Sequence, residues 1–336
     1  MTWLRSVLVS AVLVVVATVT PVPATPASAA PGWAYVLLDP LPGKEAAVFR
    51  DANEVGAAVG WSGTLLLAGA DAVPTAWDRD GNAYPLGMPT GYLNAIPYAV
   101  NDHGVAVGVG VRETNGSLVH DSLVWRPGQA VQVLTGADGF GVPVEVLDTE
   151  PPRVVNLAGE VHVVGGPQVT LPANGGQVVA RDARLLDGQG AVVGHQVTTE
   201  HGTRAALWTD AGMALLAPDW PFDTTAADVA GFLAAVNYAL GDGGLTGCSA
   251  AALHIGATVV PLDPAADTSI VQDVTSYGIA VGTRTAEGCG ASEGVVWVYG
   301  TVVPLRTLVG LPQDLQAAEV TEQLHIYGAN FLIRPA

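Results

Sequence analysis

Asn53-Glu54-Val55-Gly56-Ala57-Ala58-Val59-Gly60 returns as Asn101-Asp102-His103-Gly104-Val105-Ala106-Val107-Gly108. It returns again as Asp187-Gly188-Gln189-Gly190-Ala191-Val192-Val193-Gly194 and as Thr275-Ser276-Tyr277-Gly278-Ile279-Ala280-Val281-Gly282. Weaker copies end at Gly165, Gly247 and Gly328, so the landmark glycines lie about 45 residues apart on average. Each good copy is followed by an apolar stretch ending in tryptophan: Trp77, Trp125, Trp208 and Trp297. In the fifth copy Leu253-His254 stands at that place. A short turn then leads to a segment closing on Leu86, Leu134, Leu216, Leu262 or Leu305.

Each unit reads as four short strands, a to d. The Asn/Asp-x-x-Gly turn joins a to b, its side chain capping the turn and its glycine taking positive φ. Hairpin turns such as Asp80-Gly81 and Pro127-Gly128 join c to d. Pro85, Pro261 and Pro304 recur at one point of strand d. Proline cannot donate to a ladder, so d is the edge strand. Four-stranded units of this length with a blunted outer edge describe the blades of a β-propeller. Thr224 to Leu240 is the single passable helix candidate.

The chain ends complement one another. Trp33 to Leu41 reads as a strand d with nothing before it, and Gln316 to Arg334 as strands a, b and c with no d after them. Together they complete one blade, giving an all-β, seven-bladed propeller closed by an N-terminal strand. The unit between Gly165 and Gly194 lacks a tryptophan, and six blades are the alternative. The glycine turn, the Val-Gly strand and the apolar-Trp strand resemble the extracellular HAF-repeat family of secreted repeat proteins, from about Trp33 to the C-terminus. The His-Ala-Phe of that family is not matched; Ala205-Ala206-Leu207-Trp208 is the nearest string. The resemblance implies extracellular placement and no particular activity.

Residues 1–29 read as a signal peptide: Arg5, the apolar run Val7 to Val19, then Ala27-Ser28-Ala29 as the cleavage site. A single N-terminal anchor helix is the alternative, for which the run is short. Residues 30–336 form the repeat domain. Export makes a disulfide between Cys248 and Cys289 the default reading, with two buried thiols as the alternative. Thirteen basic against 31 acidic residues, net −18, exclude nucleic acid and anionic membrane as main partners.

Motifs for chemistry are sparse. The seven histidines are scattered, so no metal site or cofactor is expected. Gly290-Ala291-Ser292-Glu293-Gly294 matches a nucleophile-elbow string but falls between two strands. Asp78-Arg79-Asp80-Gly81-Asn82 resembles the front of a calcium loop yet sits where each unit has its hairpin turn. The repeated tryptophans suit packing between blades. Asn115-Gly116-Ser117 is a glycosylation string. Strand a offers mainly Ala, Val and Leu, and Lys44 is the single lysine, which argues against an enzyme working on anions.

The long connections are expected to be b–c (Trp61 to Val73, Val109 to His120, His195 to Arg204) and d–a (Thr135 to Pro152, Ala217 to Gly231), all on one face. Variable loops on a rigid scaffold carry function. The expected ligand-binding residues are Trp61, Trp220, Asp219 and Asp223, loop aromatics beside carboxylates suited to a cationic or metal-bridged ligand. The functional expectation is a monomeric secreted binding module for an extracellular protein or glycan. A secreted propeller lyase or hydrolase is the alternative.

Overall fold

The computed structural model describes residues 32–64, 71–134, 141–173, 176–186, 189–199, 202–241, 248–285, 293–311 and 314–336. Its strands form seven four-stranded antiparallel sheets. Blade 1 is β2 (Ala46–Ala52), β3 (Ala58–Gly63), β4 (Val73–Trp77) and β5 (Ala83–Pro85). Blade 2 is β6 (Tyr92–Val100), β7 (Ala106–Thr114), β8 (Ser117–Trp125) and β9 (Gln132–Leu134). Blade 3 is β10 (Pro143–Leu147), β11 (Arg153–Asn156), β12 (Glu160–Val163) and β13 (Gln168–Thr170). Blade 4 is β14 (Gln177–Leu186), β15 (Gln189–Thr198), β16 (Gly202–Thr209) and β17 (Gly212–Leu215). Blade 5 is β18 (Thr224–Ala230), β19 (Leu233–Ala239), β20 (Ser249–Ile255) and β21 (Thr258–Pro261). Blade 6 is β22 (Thr268–Val274), β23 (Ile279–Thr285), β24 (Glu293–Val298) and β25 (Thr301–Pro304).

Blade 7 joins both ends of the chain. Its order is β1 (Trp33–Leu37), β28 (Phe331–Pro335), β27 (Ile326–Gly328), β26 (Ala317–Val320). Trp33 pairs with Pro335 and Leu37 with Phe331, so the N-terminal strand is the outer strand of the last sheet. The ring has seven blades, and the six-bladed alternative falls. Pro85, Pro261 and Pro304 all lie on edge strands.

Four local readings are corrected. Thr224 to Leu240 is the hairpin β18–β19, because pairing to β20 and packing against blades 4 and 6 override the helical leaning of an alanine-rich run. Gly165 lies in the β12–β13 turn rather than at the end of a strand b. Val109 to His120 is not a loop: β7 and β8 run on to a two-residue turn at Asn115 and Gly116, both at positive φ. The stretches 135–152 and 217–231 contain strands β10 and β18. A short helix, α1 (Leu305–Val309), bridges blades 6 and 7, with Leu305 and Val309 buried in the core between them.

The repeated tryptophans fill the space between blades. Trp77, Trp125, Trp208 and Trp297 are all buried. Trp77 Nε1 donates to Asp39 O at 2.7 Å, Trp125 Nε1 to Gly87 O at 2.9 Å and Trp208 Nε1 to Pro172 O at 2.9 Å. In each case the carbonyl lies just beyond strand d of the preceding blade.

The landmark glycines have an equally local cause. A Cβ on Gly60, Gly108, Gly194 or Gly282 would fall 2.0, 2.0, 2.1 or 2.0 Å from the carbonyl oxygen of Val48, Ile96, Val179 or Ile270. Those carbonyls approach because strand a carries a β-bulge opposite each glycine. Gly282→Ala is therefore expected to lower unfolding stability by about 1–3 kcal/mol or more. Gly241→Ala, where a Cβ meets open space, should be near neutral. Urea denaturation of both variants checks this, and equal midpoints would refute the account.

Candidate functional site

The bulges build the centre of the molecule. A bulge inserts one residue into the strand and re-aims the side chains around it. It falls between Phe49 and Asp51, Pro97 and Ala99, Pro143 and Glu145, Ala180 and Asp182, Ala226 and Asp228, Val271 and Asp273, and Ala317 and Glu319. The residue after the bulge is acidic in six of the seven blades; blade 2 has Ala99. These carboxyls and the bulged residues line an axial cavity of about 550 Å³ that extends to Glu54, Asp102, Ser276 and Glu322 at the a–b turns. The expectation that strand a is apolar is thus wrong at the one position that matters most.

Most of these carboxyls staple blade to blade. Val100 N donates to Asp51 Oδ2 at 2.5 Å, Val274 N to Asp228 Oδ2 at 2.9 Å, and Val320 N to Asp273 Oδ2 at 2.6 Å. Ala52 N donates to both oxygens of Glu319, at 3.1 and 3.0 Å, which ties blade 7 back to blade 1. One turn outward the pattern repeats: Glu54 N donates to Asp102 Oδ1 at 2.8 Å, Asp102 N to Asp148 Oδ1 at 2.7 Å, and Ser276 N to Glu322 Oε1 at 2.5 Å. The turn asparagines add a third tie, Asn53 Nδ2 donating to Asn101 O at 2.8 Å and Asn101 Nδ2 to Leu147 O at 3.2 Å.

One cation sits among them. Arg184 on β14 pairs with Glu54 across the channel, and lies 3.4 Å from Asp228, 3.4 Å from Asp273 and 3.6 Å from Asp182. Burial works to raise the Asp228 pKa, but Arg184 and hydrogen bonds from its neighbours override it and hold Asp228 ionised. Burial, and then the Asp228 charge, push Asp182 and Asp273 well above the carboxylate range, and both hydrogen-bond to Asp228. Burial likewise pushes Glu145 and Glu319 well up and Asp51 up to about 6. The belt therefore shares protons and is much less negative than its composition. Among the described residues no group of His, Cys, Asp or Glu is arranged to hold a metal ion.

Two guanidiniums in the same cavity lack such partners. Arg50 and Arg181 are the bulged residues of blades 1 and 4, and both are exposed to the cavity. Arg50 lies over the Trp61 ring at 4.8 Å and the Tyr98 ring at 5.4 Å. Burial lowers the pKa of both arginines. His195, buried beside Arg181, is pushed down to about 4 by burial and then by the Arg181 charge.

The expected ligand-binding residues are dispersed. Trp61 is not in a loop; β3 continues to Gly63, and Trp61 pairs with Val48 and is buried against Ala72 and Ile96. Trp220 lies in the β17–β18 connection, half-buried, its Nε1 donating to Ala239 O at 3.0 Å and its ring edge-on to Tyr238 at 5.0 Å. Asp219 beside it is exposed, and Asp223 accepts from Thr203 N at 2.9 Å. Trp61 and Trp220 belong to separate packing clusters, on blade 1 and against blade 5.

Other motifs resolve as turns or packing. Asp78 Oδ1 accepts from Asp80 N at 2.9 Å and Asn82 N at 3.0 Å, which makes 78–82 a hairpin turn. His254 is buried and hydrogen-bonded to the Tyr238 hydroxyl. Residues 1–29 lie outside the described residues, as do Cys289 and most of 290–294. Cys248 precedes β20, its carbonyl accepting from Leu240 N at 2.9 Å. Among the described residues no helix is long and apolar enough to cross a membrane.

No family model matches the chain, and no curated protein does. Solved structures match its fold. The β-propeller domain of the Trilobed protease from Pyrococcus furiosus, described as having an open velcro topology, is similar at TM-score 0.52 and 11% identity, over 85% of this chain and 91% of that one. Virginiamycin B lyase from Staphylococcus aureus is similar at TM-score 0.51 and 9% identity, over 90% and 98%. Acylaminoacyl peptidase from Pyrococcus horikoshii is similar at TM-score 0.50 and 12% identity, over 88% of this chain and 53% of that one. At these identities the likeness is one of fold alone: the chain is a seven-bladed β-propeller.

Proposed function

We propose that this chain is a secreted, non-catalytic binding propeller of the HAF-repeat type, acting as a monomer on an extracellular protein or glycan. The observation that carries the reading is how the cavity groups are employed. Most of its carboxyls are committed to backbone N–H groups of adjacent blades or to Arg184, Glu145 being the exception, while Arg50, Tyr98 and Arg181 face the cavity with no such duty. Free groups of that kind hold a ligand; they are not a nucleophile with its base. Trp220, Asp219 and Asp223 form a second, separate candidate surface on the long-connection face. One observation favours the enzyme alternative: the Asp51 carboxyl, at about 6, lies in the range where general acids work.

A screen of the secreted protein against cell-surface polysaccharides and culture-fluid proteins, with and without calcium, tests the reading. Saturable binding without turnover is expected, weakened in Trp220→Ala. Turnover of a hit that stops in Asp51→Asn would replace it with the enzyme. Intact mass of the secreted protein tests the rest of the proposal: it should begin at Ala30 and be two hydrogens lighter than the dithiol. That bond would join Cys248, in the b–c connection of blade 5, to Cys289, in that of blade 6.

A further inference from the structure

We infer that Arg50 and Arg181 form a site for an oxyanion group, phosphate or carboxylate, in the axial channel. The inference deepens the binding reading and rests on it for the idea that the channel receives a ligand. The chain carries 31 acidic and only 13 basic residues, yet it directs three arginines into one cavity, two of them without a carboxylate partner. Among the described residues neither guanidinium has an ion pair or hydrogen bond; Arg50 has only the faces of Trp61 and Tyr98. A guanidinium is a rigid fork of donors matched to carboxylate and phosphate oxygens.

The two arginines stand across the channel from each other. Arg184 of blade 4 reaches Glu54 of blade 1, so one arginine side chain spans the lumen at that level. Arg181 is three residues before Arg184 on its strand, and Arg50, on β2, is four residues before Glu54 in the turn that follows. An anion between them would be gripped from both sides. Two buried polar atoms nearby also lack partners, Trp61 Nε1 beside Arg50 and His195 Nδ1 beside Arg181. The carboxyls closest in sequence do not compete for the arginines, because Asp51 is held by Val100 N, and Asp182 by Val229 N and Arg184. Blade 2 contributes Ala99 where the other blades place a carboxyl, so the belt has one acid fewer next to Tyr98.

The test titrates the secreted protein with inorganic phosphate and, separately, with succinate, at ionic strength held constant with sodium chloride. Tryptophan fluorescence, which Trp61 reports from beneath Arg50, and calorimetry provide the readouts. Saturable binding of at least one anion is expected, weakened tenfold or more in Arg50→Gln and in Arg181→Gln, and unchanged in Arg112→Gln, whose guanidinium is paired with Asp121. The two variants lie on different blades, so loss of folding in one leaves the other decisive, with thermal unfolding as the check. The arms separate the sources: phosphate alone points to a phosphorylated ligand, succinate alone to a carboxylate-bearing one. Absence of saturable binding for both anions, or equal affinity in both variants, would overturn the site. A screened ligand that binds both variants as well as wild type would overturn the site while sparing the binding module. Anion binding with no ligand from the screen would do the reverse.

Discussion

Arg184→Met is expected to lower unfolding stability at pH 7.5 by about 3–5 kcal/mol, the usual cost of removing one partner from a buried charge cluster. Arg184 touches Glu54, Asp182, Asp228 and Asp273, and it is the reason Asp228 can be ionised with only 4% of its side chain exposed. Without it Asp228 must either keep an uncompensated charge in the core or take up a proton that its hydrogen bonds from Asp182 and Asp273 oppose. Methionine fills much of the volume, so the loss is electrostatic rather than a cavity effect. Arg184→Lys should fall between the two, since a point charge cannot serve four carboxylates at once.

The pH dependence gives the variant a signature that a packing defect lacks. Asp51 is pushed up to about 6 in the folded chain, from an ordinary value of 3.8. Between about pH 4 and pH 6 the folded state therefore binds more protons than the unfolded one, and stability falls as pH rises through that window. Glu145, Asp182, Asp273 and Glu319 shift in the same direction and extend the fall upward. Asp228 is held low and acts oppositely, its contribution being lost as pH falls below about 4. Wild type should unfold at a higher temperature at pH 5 than at pH 8. In Arg184→Met the deficit should shrink at pH 5, where the freed carboxyls can protonate. Thermal unfolding from pH 4 to pH 8 decides it; a deficit independent of pH would assign Arg184 to packing alone.

That belt was the least legible part of the sequence, and the reason is geometric. Strand faces are read by alternation, which places residues 50 and 51 on opposite sides; the bulge removes that rule at the channel. The signal was present all the same. Asp51 and Asp273 each stand five residues before a turn glycine, Gly56 and Gly278, as the lone acid of its strand. Blade 3 was obscure for another reason: β11 has four residues, β13 is wholly exposed, and no tryptophan marks strand c. The legible features were those under steric command. The glycine facing each bulge cannot be replaced cheaply, the tryptophans fill the space between blades, and the prolines belong at a free edge.

Deleting residues 32–38 is expected to open the ring and leave little folded monomer at 25 °C, an effect far beyond that of any loop truncation of equal length. The strand β1 pairs along its whole length with β28, and the join is reinforced where Leu38 N donates to Asn330 O at 2.9 Å and Ala336 N to Gly32 O at 3.0 Å. Leu38 is buried in the cluster of Phe49, Trp77, Tyr327 and Leu332, against which Val36 also packs, and Tyr35 stacks on Phe331 at 5.7 Å. At about 1.5–3 kcal/mol per fully buried side chain, Leu38 alone supplies that much, and the half-buried Val36 and Tyr35 add to it, a sizeable share of the stability of an ordinary domain. The deletion also bares β28, whose Phe331, Leu332 and Ile333 are buried, as an unprotected edge that invites association between chains. Because the closure is non-covalent, it can be supplied from outside. A synthetic peptide of residues 32–41 added in trans should pair with β28 and restore a cooperative unfolding transition, while a scrambled peptide should not. Monomeric, cooperatively folding protein from the deletion without any peptide would show that blade 7 holds with three strands and that the clasp is dispensable.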